Sequence, residues 1–124
     1  MWSRDGPRYA GGIMLLQIEE KRVEPDIALV ELKGRLALGR ESQRVEALAG
    51  ELVKSGRLKA ILDLTGVDYI DSAGLGILAL VAGKLKEAGG RLAVVAPEGR
   101  VLSMLNMTQM TQILSVSPSV GEAM

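Results

Sequence analysis

Residues 67–80 read VDYIDSAGLGILAL, and the rest of the chain is best read outward from them. The stretch passes from a strand-like run through Asp71-Ser72 into a long apolar segment broken by Gly74 and Gly76. Asp and Ser both favour the N-cap of a helix, where a short side-chain oxygen accepts a bond from an early N–H and adds about 1 kcal/mol. Either Asp71 or Ser72 fits that position. Gly74 and Gly76 would let the first helical turn pack closely against strands. From Ser72 to about Ala88, residues Leu75, Leu78, Val81, Ala82 and Leu85 share one broad apolar face. Gly89-Gly90 closes the helix. Ile77 and Leu80 project away from the apolar face, and Gly76 and Gly83 leave a smooth strip alongside. Either another helix covers Leu80, or the strip is a docking surface.

Upstream, Leu15 to Val23 and Ile27 to Lys33 read as two strands joined across Glu24-Pro25-Asp26, a turn-like trio. So short a link requires antiparallel pairing. Gly34 ends the second strand and Gly39 lies in the following loop. Val45, Leu48 and Leu52 then recur at helical spacing, with Ser42 as N-cap and Gly56 as the stop. AILDL, residues 60–64, is a short apolar run suited to a strand buried on both faces. Downstream, RLAVVA (residues 91–96) is another such strand, halted by Pro97. Val101, Met104 and Leu105 suggest a third helix, and Ile113 to Val116 a last strand. Helices alternate with strands after an opening hairpin, so the expected fold is α/β: one mixed sheet with helices packed on it. Met1 to Ile13 is polar and aperiodic and reads as a tail outside a domain spanning residues 14–124.

Composition narrows the function. The chain has 124 residues, 48% hydrophobic and 24% charged, which suits a single globular domain. Its formal net charge is zero and only 2% of residues are aromatic, so neither the basic face nor the stacking platforms of a nucleic-acid binder are expected. No apolar run reaches the ~20 residues that span a bilayer, and the N-terminus lacks the pattern of a secretory signal. The expectation is a cytoplasmic protein with no membrane partner. There is neither cysteine nor histidine, which removes disulfides, thiolate chemistry, imidazole catalysis and nearly every zinc site.

Catalysis finds little support. Ser72 has no histidine to activate it, and Lys84 or Lys86 lie more than two turns along the helix. Asp63, Asp68 and Asp71 are close in sequence, which invites a metal or a carboxylate pair. Asp63 ending a strand and Asp68 in a turn, each hydrogen-bonded locally, account for two of them. No cofactor and no metal are expected. A non-catalytic role for Ser72 remains. The first turn of a helix offers unpaired N–H groups and a positive dipole end. A serine there can carry a phosphate of about −1.5 to −2 charge without unfolding the helix. Such a site would act as a switch on a rigid body.

LDLTGVDYIDSAGLGILAL (residues 62–80), followed by GGRLAVVAP (residues 89–97), closely resembles the STAS domain, specifically the stand-alone bacterial anti-sigma-factor antagonists. The resemblance runs from about Met14 to the C-terminus, with LNMTQMTQIL (residues 105–114) and GEAM (residues 121–124) fitting more loosely. It implies a four- or five-stranded sheet with helices mainly on one side. It also implies a serine phosphorylated by a partner serine kinase that is itself an anti-sigma factor. The unphosphorylated antagonist would bind that kinase and free the sigma factor, and a serine phosphatase would restore binding after phosphorylation. Ser72 matches the phosphoacceptor and Asp71 the acid beside it. The partner-binding surface expected on this basis comprises Asp71, Ser72, Gly74, Gly76, Ile77, Leu80 and Arg35. One departure stands out. Where many members carry an acid after the second strand, in a Gly-x-Leu-Asp-like pattern, this chain has Gly34-Arg35-Leu36-Ala37. Arg35 and Arg40 place positive charge there, implying altered kinase docking or a different partner. The alternative is an unphosphorylated STAS module that recruits a partner or binds a small ligand such as a nucleotide or lipid.

Overall fold

The computed structural model describes residues 16–24, 27–37, 40–56, 59–112 and 114–124. The elements are β1 (Gln17–Glu24), β2 (Ile27–Leu36), α1 (Arg40–Lys54), β3 (Lys59–Ile70), α2 (Ser72–Glu87), β4 (Arg91–Val95), α3 (Arg100–Met107), β5 (Ser115–Ser117) and α4 (Val120–Ala123). A single 3-10 turn, Met110–Gln112, follows α3. The expected tail at Met1 to Ile13, the turn residues Pro25 and Asp26, Gly39 and Ile113 lie outside the described residues.

The strands form one sheet in the order β1-β2-β3-β4-β5. β1 and β2 pair antiparallel, as their short link requires, while the pairs β2–β3, β3–β4 and β4–β5 are parallel. Each parallel pair needs a helical crossover, and right-handed crossovers taken steadily in one direction set every helix on the same face. The main core shows this: Val30, Leu62 and Val94 from the strands meet Val45 and Leu52 of α1, Leu78 and Leu85 of α2, and Val101 and Leu105 of α3. The opposite face carries a smaller cluster, Ile27, Leu29, Ile61, Ala93 and Val95, against which Val120 and Ala123 of α4 pack. The sheet is therefore mixed and five-stranded, with helices mainly on one side.

Several boundaries differ from expectation, each for a local reason. β2 does not stop at Gly34 but runs on to Leu36, with Gly34 at φ 103° inside the strand. Only glycine adopts that conformation cheaply. β3 extends past Leu64 to Ile70. Its second half hides the strand period because the β2–β3 register shifts twice, between Glu31 and Lys33 and between Gly34 and Arg35. Across this ladder β3 has 12 residues and β2 has 10, so β3 carries the two extra residues. Asp68 is accordingly in a strand rather than a turn, and Asp63 lies within β3 rather than at its end. α1 starts at Arg40, which places Ser42 inside the helix and not at its cap. β5 is shorter than expected and begins at Ser115, and α4, capped by the Ser119 hydroxyl accepting from Glu122 N at 3.3 Å, had no counterpart in the expected order.

α2 is the central helix of the core face. Its C-terminus closes in a Schellman arrangement: Gly90 N donates to Leu85 O (2.7 Å) and Gly89 N to Lys86 O (3.0 Å), with Gly89 at φ 87°. Leu78 is fully buried midway along it. Leu78→Ala should destabilise the protein by about 3 kcal/mol, the transfer term plus an unfilled cavity. Urea unfolding followed by circular dichroism measures this as a lower midpoint at unchanged slope.

Candidate functional site

The start of α2 is built by the end of β2. Asp71 N donates to Leu36 O at 3.3 Å, which hangs the residue before the helix on the strand. Asp71 then provides the N-cap: its backbone is extended (φ −117°, ψ −173°) and its Oδ1 accepts from Gly74 N at 2.9 Å. Of the two candidate caps, Asp71 fills the position, and Ser72 is the first helical residue. Gly74 is buried beneath the strand end. A Cβ on it would lie 2.1 Å from Leu36 O and 2.9 Å from Ile70 Cγ1, which no real side chain tolerates. The glycine is thus required by close approach, not by turn geometry.

Ser72 is exposed, and its hydroxyl donates to and accepts from no other described residue. At about 100° per residue, Ser72, Gly76, Leu80 and Gly83 fall within roughly 80° of one another around the helix. All four are exposed. A Cβ on Gly76 or Gly83 would meet nothing within 4 Å, so both sit in open space and flatten the strip. Leu80 is 41% exposed, so no helix among the described residues covers it. Ile77 differs from expectation: it is half-buried and packs against the main core instead of projecting away.

One residue before Leu36, Arg35 is exposed on β2 and its guanidinium lies 4.1 Å from the centroid of the Tyr69 ring on β3. Tyr69, 36% exposed, is the residue that sequence reading missed, because the register shift that sets it opposite Arg35 leaves no mark in the hydrophobic pattern. The three aspartates do not share one task. Asp63 Oδ1 accepts from the Thr65 backbone N–H and hydroxyl, Asp68 is exposed on β3, and Asp71 caps α2. Among the described residues, no three carboxylates are placed to hold a metal ion. None of their helices is long and apolar enough to cross a membrane. A groove between β1 and α1, lined by Ile18, Leu48, Arg44 and Glu51 among others, shares no residue with the Ser72 strip.

The STAS domain family model matches residues 20–123, and the chain belongs to that family. A Thermotoga maritima protein, provisionally named an anti-sigma factor antagonist, is 31% identical over 74 residues, covering 60% of this chain and 66% of its own length. The aligned segment thus spans just under two thirds of that relative. A crystal structure of an anti-sigma factor antagonist from Thermotoga maritima, also named provisionally, superposes with TM-score 0.76 at 24% identity, covering 86% of this chain and 90% of that one. Bacillus SpoIIAA, an anti-sigma factor antagonist, superposes in its unphosphorylated form with TM-score 0.66 (17% identity, 85% of this chain, 91% of that). Its phosphorylated form gives 0.64 (16% identity, 86% and 95%). A sulfate transporter family protein from Wolinella succinogenes shares the fold at TM-score 0.72 (20% identity, 83% and 85%).

The two neighbouring glycines of α2 should respond oppositely to the same change. Gly74→Ala should cost about 3 kcal/mol or more through overpacking against the Leu36 carbonyl. Gly76→Ala should stabilise by about 1 kcal/mol through helix propensity alone. Paired thermal melts decide it, and equal effects at the two positions would contradict the packing described.

Proposed function

We propose that the protein is an anti-sigma-factor antagonist whose binding to a serine-kinase anti-sigma factor is controlled by phosphorylation of Ser72. The observation that carries this reading is the division of roles at the helix start. Asp71 makes the structural hydrogen bonds, while the adjacent Ser72 presents an exposed hydroxyl with no structural duty. A hydroxyl so placed is accessible to a kinase and can be modified without removing the cap. The names of its relatives agree with the role. The SpoIIAA pair, alike in fold in both forms, is consistent with a phosphate that leaves the backbone in place.

The unphosphorylated protein docks through Ser72 and the strip of Gly76, Leu80 and Gly83, and the kinase is thereby drawn from its sigma factor. A phosphate on Ser72 suits the helix dipole, so the antagonist itself is little affected. The kinase, however, must hold nucleotide phosphates near the same serine. Like charges meeting in a desolvated interface cost several kcal/mol, against roughly 8 kcal/mol for an entire micromolar complex. Release follows, and a serine phosphatase resets the switch. The protein acts by binding rather than by turnover, and sigma-factor control places it in the cytoplasm.

Incubation with a serine-kinase anti-sigma factor and ATP should add one phosphate, mapped to Ser72 by intact mass and peptide analysis. Ser72→Ala should accept none and keep its stability within about 1 kcal/mol, since Asp71 holds the cap. In calorimetry, Ser72→Glu should weaken kinase binding, with phosphoserine weakening it further. Leu80→Glu should weaken it with Ser72 intact, by placing a charge where an apolar contact is needed. Affinity unchanged in all three, with normal circular dichroism, would put the docking surface elsewhere.

A further inference from the structure

The last register shift in the β2–β3 ladder determines which residue faces Arg35. Gly34 pairs with Val67, so an unbroken ladder would set Arg35 opposite Asp68 and Leu36 opposite Tyr69. The extra residue in β3 moves the register by one, and the observed pairs are Arg35–Tyr69 and Leu36–Ile70. In place of the opposite charge of Asp68, Arg35 meets an aromatic ring, its guanidinium 4.1 Å from the centroid. Among the described residues the ion pair found joins Lys21 to Glu31, and Arg35 has no carboxylate within bonding distance. Its charge is exposed, oriented and, among the described residues, without an ion-pair partner.

Arg35 is also close to Ser72 along the backbone. Arg35 and Ser72 are each one residue removed from the hydrogen-bonded pair Leu36 O and Asp71 N, 3.3 Å apart. Both therefore lie at the same end of the sheet, with Arg35 and Tyr69 on the face opposite the one on which Leu36 and Ile70 meet the helices. The positive end of α2 adds to the potential there. A guanidinium lying on an aromatic face keeps its N–H edge open for a bidentate carboxylate contact. The ring also limits its conformations, so less entropy is lost when a partner engages it.

We propose that Arg35, held by Tyr69, is a specificity-determining contact at the Ser72 end of the sheet and takes a carboxylate from an acidic patch on a partner protein that reaches round that end. This rests on the reading of Ser72 as a docking and phosphoacceptor site. Arg35 selects among partners by charge, and a phosphate on Ser72 repels an acidic docking face that meets the same end of the sheet. Release is thus coupled to the contact that gives selectivity.

The test is calorimetry of the full chain with a purified serine-kinase anti-sigma factor, at low and at physiological ionic strength. Arg35→Glu should weaken binding about 100-fold or more, and Arg35→Gln roughly tenfold with a flatter dependence on salt. Arg35→Lys should fall between wild type and Arg35→Gln, because it keeps the charge but loses the planar fork. Tyr69→Phe should bind as wild type, while Tyr69→Ala should lose a few-fold by freeing the guanidinium. Thermal melts exclude unfolding as the cause. Wild-type affinity and salt dependence in Arg35→Glu and Arg35→Gln, alongside weakened Ser72→Glu, would overturn this proposal and leave the proposed function standing. A partner that binds wild type and Ser72→Glu alike, or does not bind at all, would overturn both.

Discussion

The approach of α2 to the end of β2 is the contact on which the rest of the site depends. With a Cβ at position 74 only 2.1 Å from Leu36 O, the helix and strand can meet this closely only through glycine. The same junction is tied by Asp71 N on Leu36 O, and Asp71 turns its side chain back to cap the helix that Gly74 begins to bury. Three residues thus fix where α2 starts, how close it lies and which way it points. Ser72 follows from that geometry: it is the first position with no part in the junction, and it faces solvent.

A helix anchored in this way makes a rigid carrier. α2 is capped at Asp71 and closed at Gly89-Gly90, and it buries Leu75, Leu78, Val81 and Leu85 between those ends. Loss of a cap or a favourable charge at a helix terminus changes stability by about 1 kcal/mol, whereas a buried leucine contributes several times that. The packed face therefore decides whether α2 is folded, and the exposed face can change its charge without disturbing it. A charge change at Ser72 falls on whatever approaches the helix, and not on the helix itself.

Most of the fold was legible because its signals are local. The helical spacing of Val45, Leu48 and Leu52, the buried runs of β3 and β4, and the glycine pair after α2 each carry a period or a punctuation mark. The helix start was legible for the same reason, although sequence left Asp71 and Ser72 as equal candidates for the cap. The hydrogen bond to Gly74 separates them. Two kinds of feature stayed hidden. Strand length in β2 and β3 depends on pairing across two bulges, where Gly34 reads as a strand end and Asp68 as a turn residue but both lie within strands. The Arg35–Tyr69 stack is a product of that register, joining residues 34 positions apart in sequence, and no propensity encodes it. Ile77 shows the limit of a helical wheel, since a residue at the margin of the apolar face is drawn in by neighbours that the wheel does not contain.

The sheet order bears on the kind of ligand the fold can present. In open parallel sheets, small molecules settle in the crevice where the strand order reverses and adjacent connections leave on opposite faces. Here the order runs without reversal from β2 to β5, and α1, α2 and α3 all pack on one face. The topology opens no such crevice at the carboxyl ends of β2 and β3. What the described residues present instead is a capped helix start, a strip along α2 flattened by Gly76 and Gly83, an exposed Leu80, and a cation resting on a ring. The extended face of another protein can cover such a strip. Recognition of another protein, as proposed, is a use to which such a strip is suited.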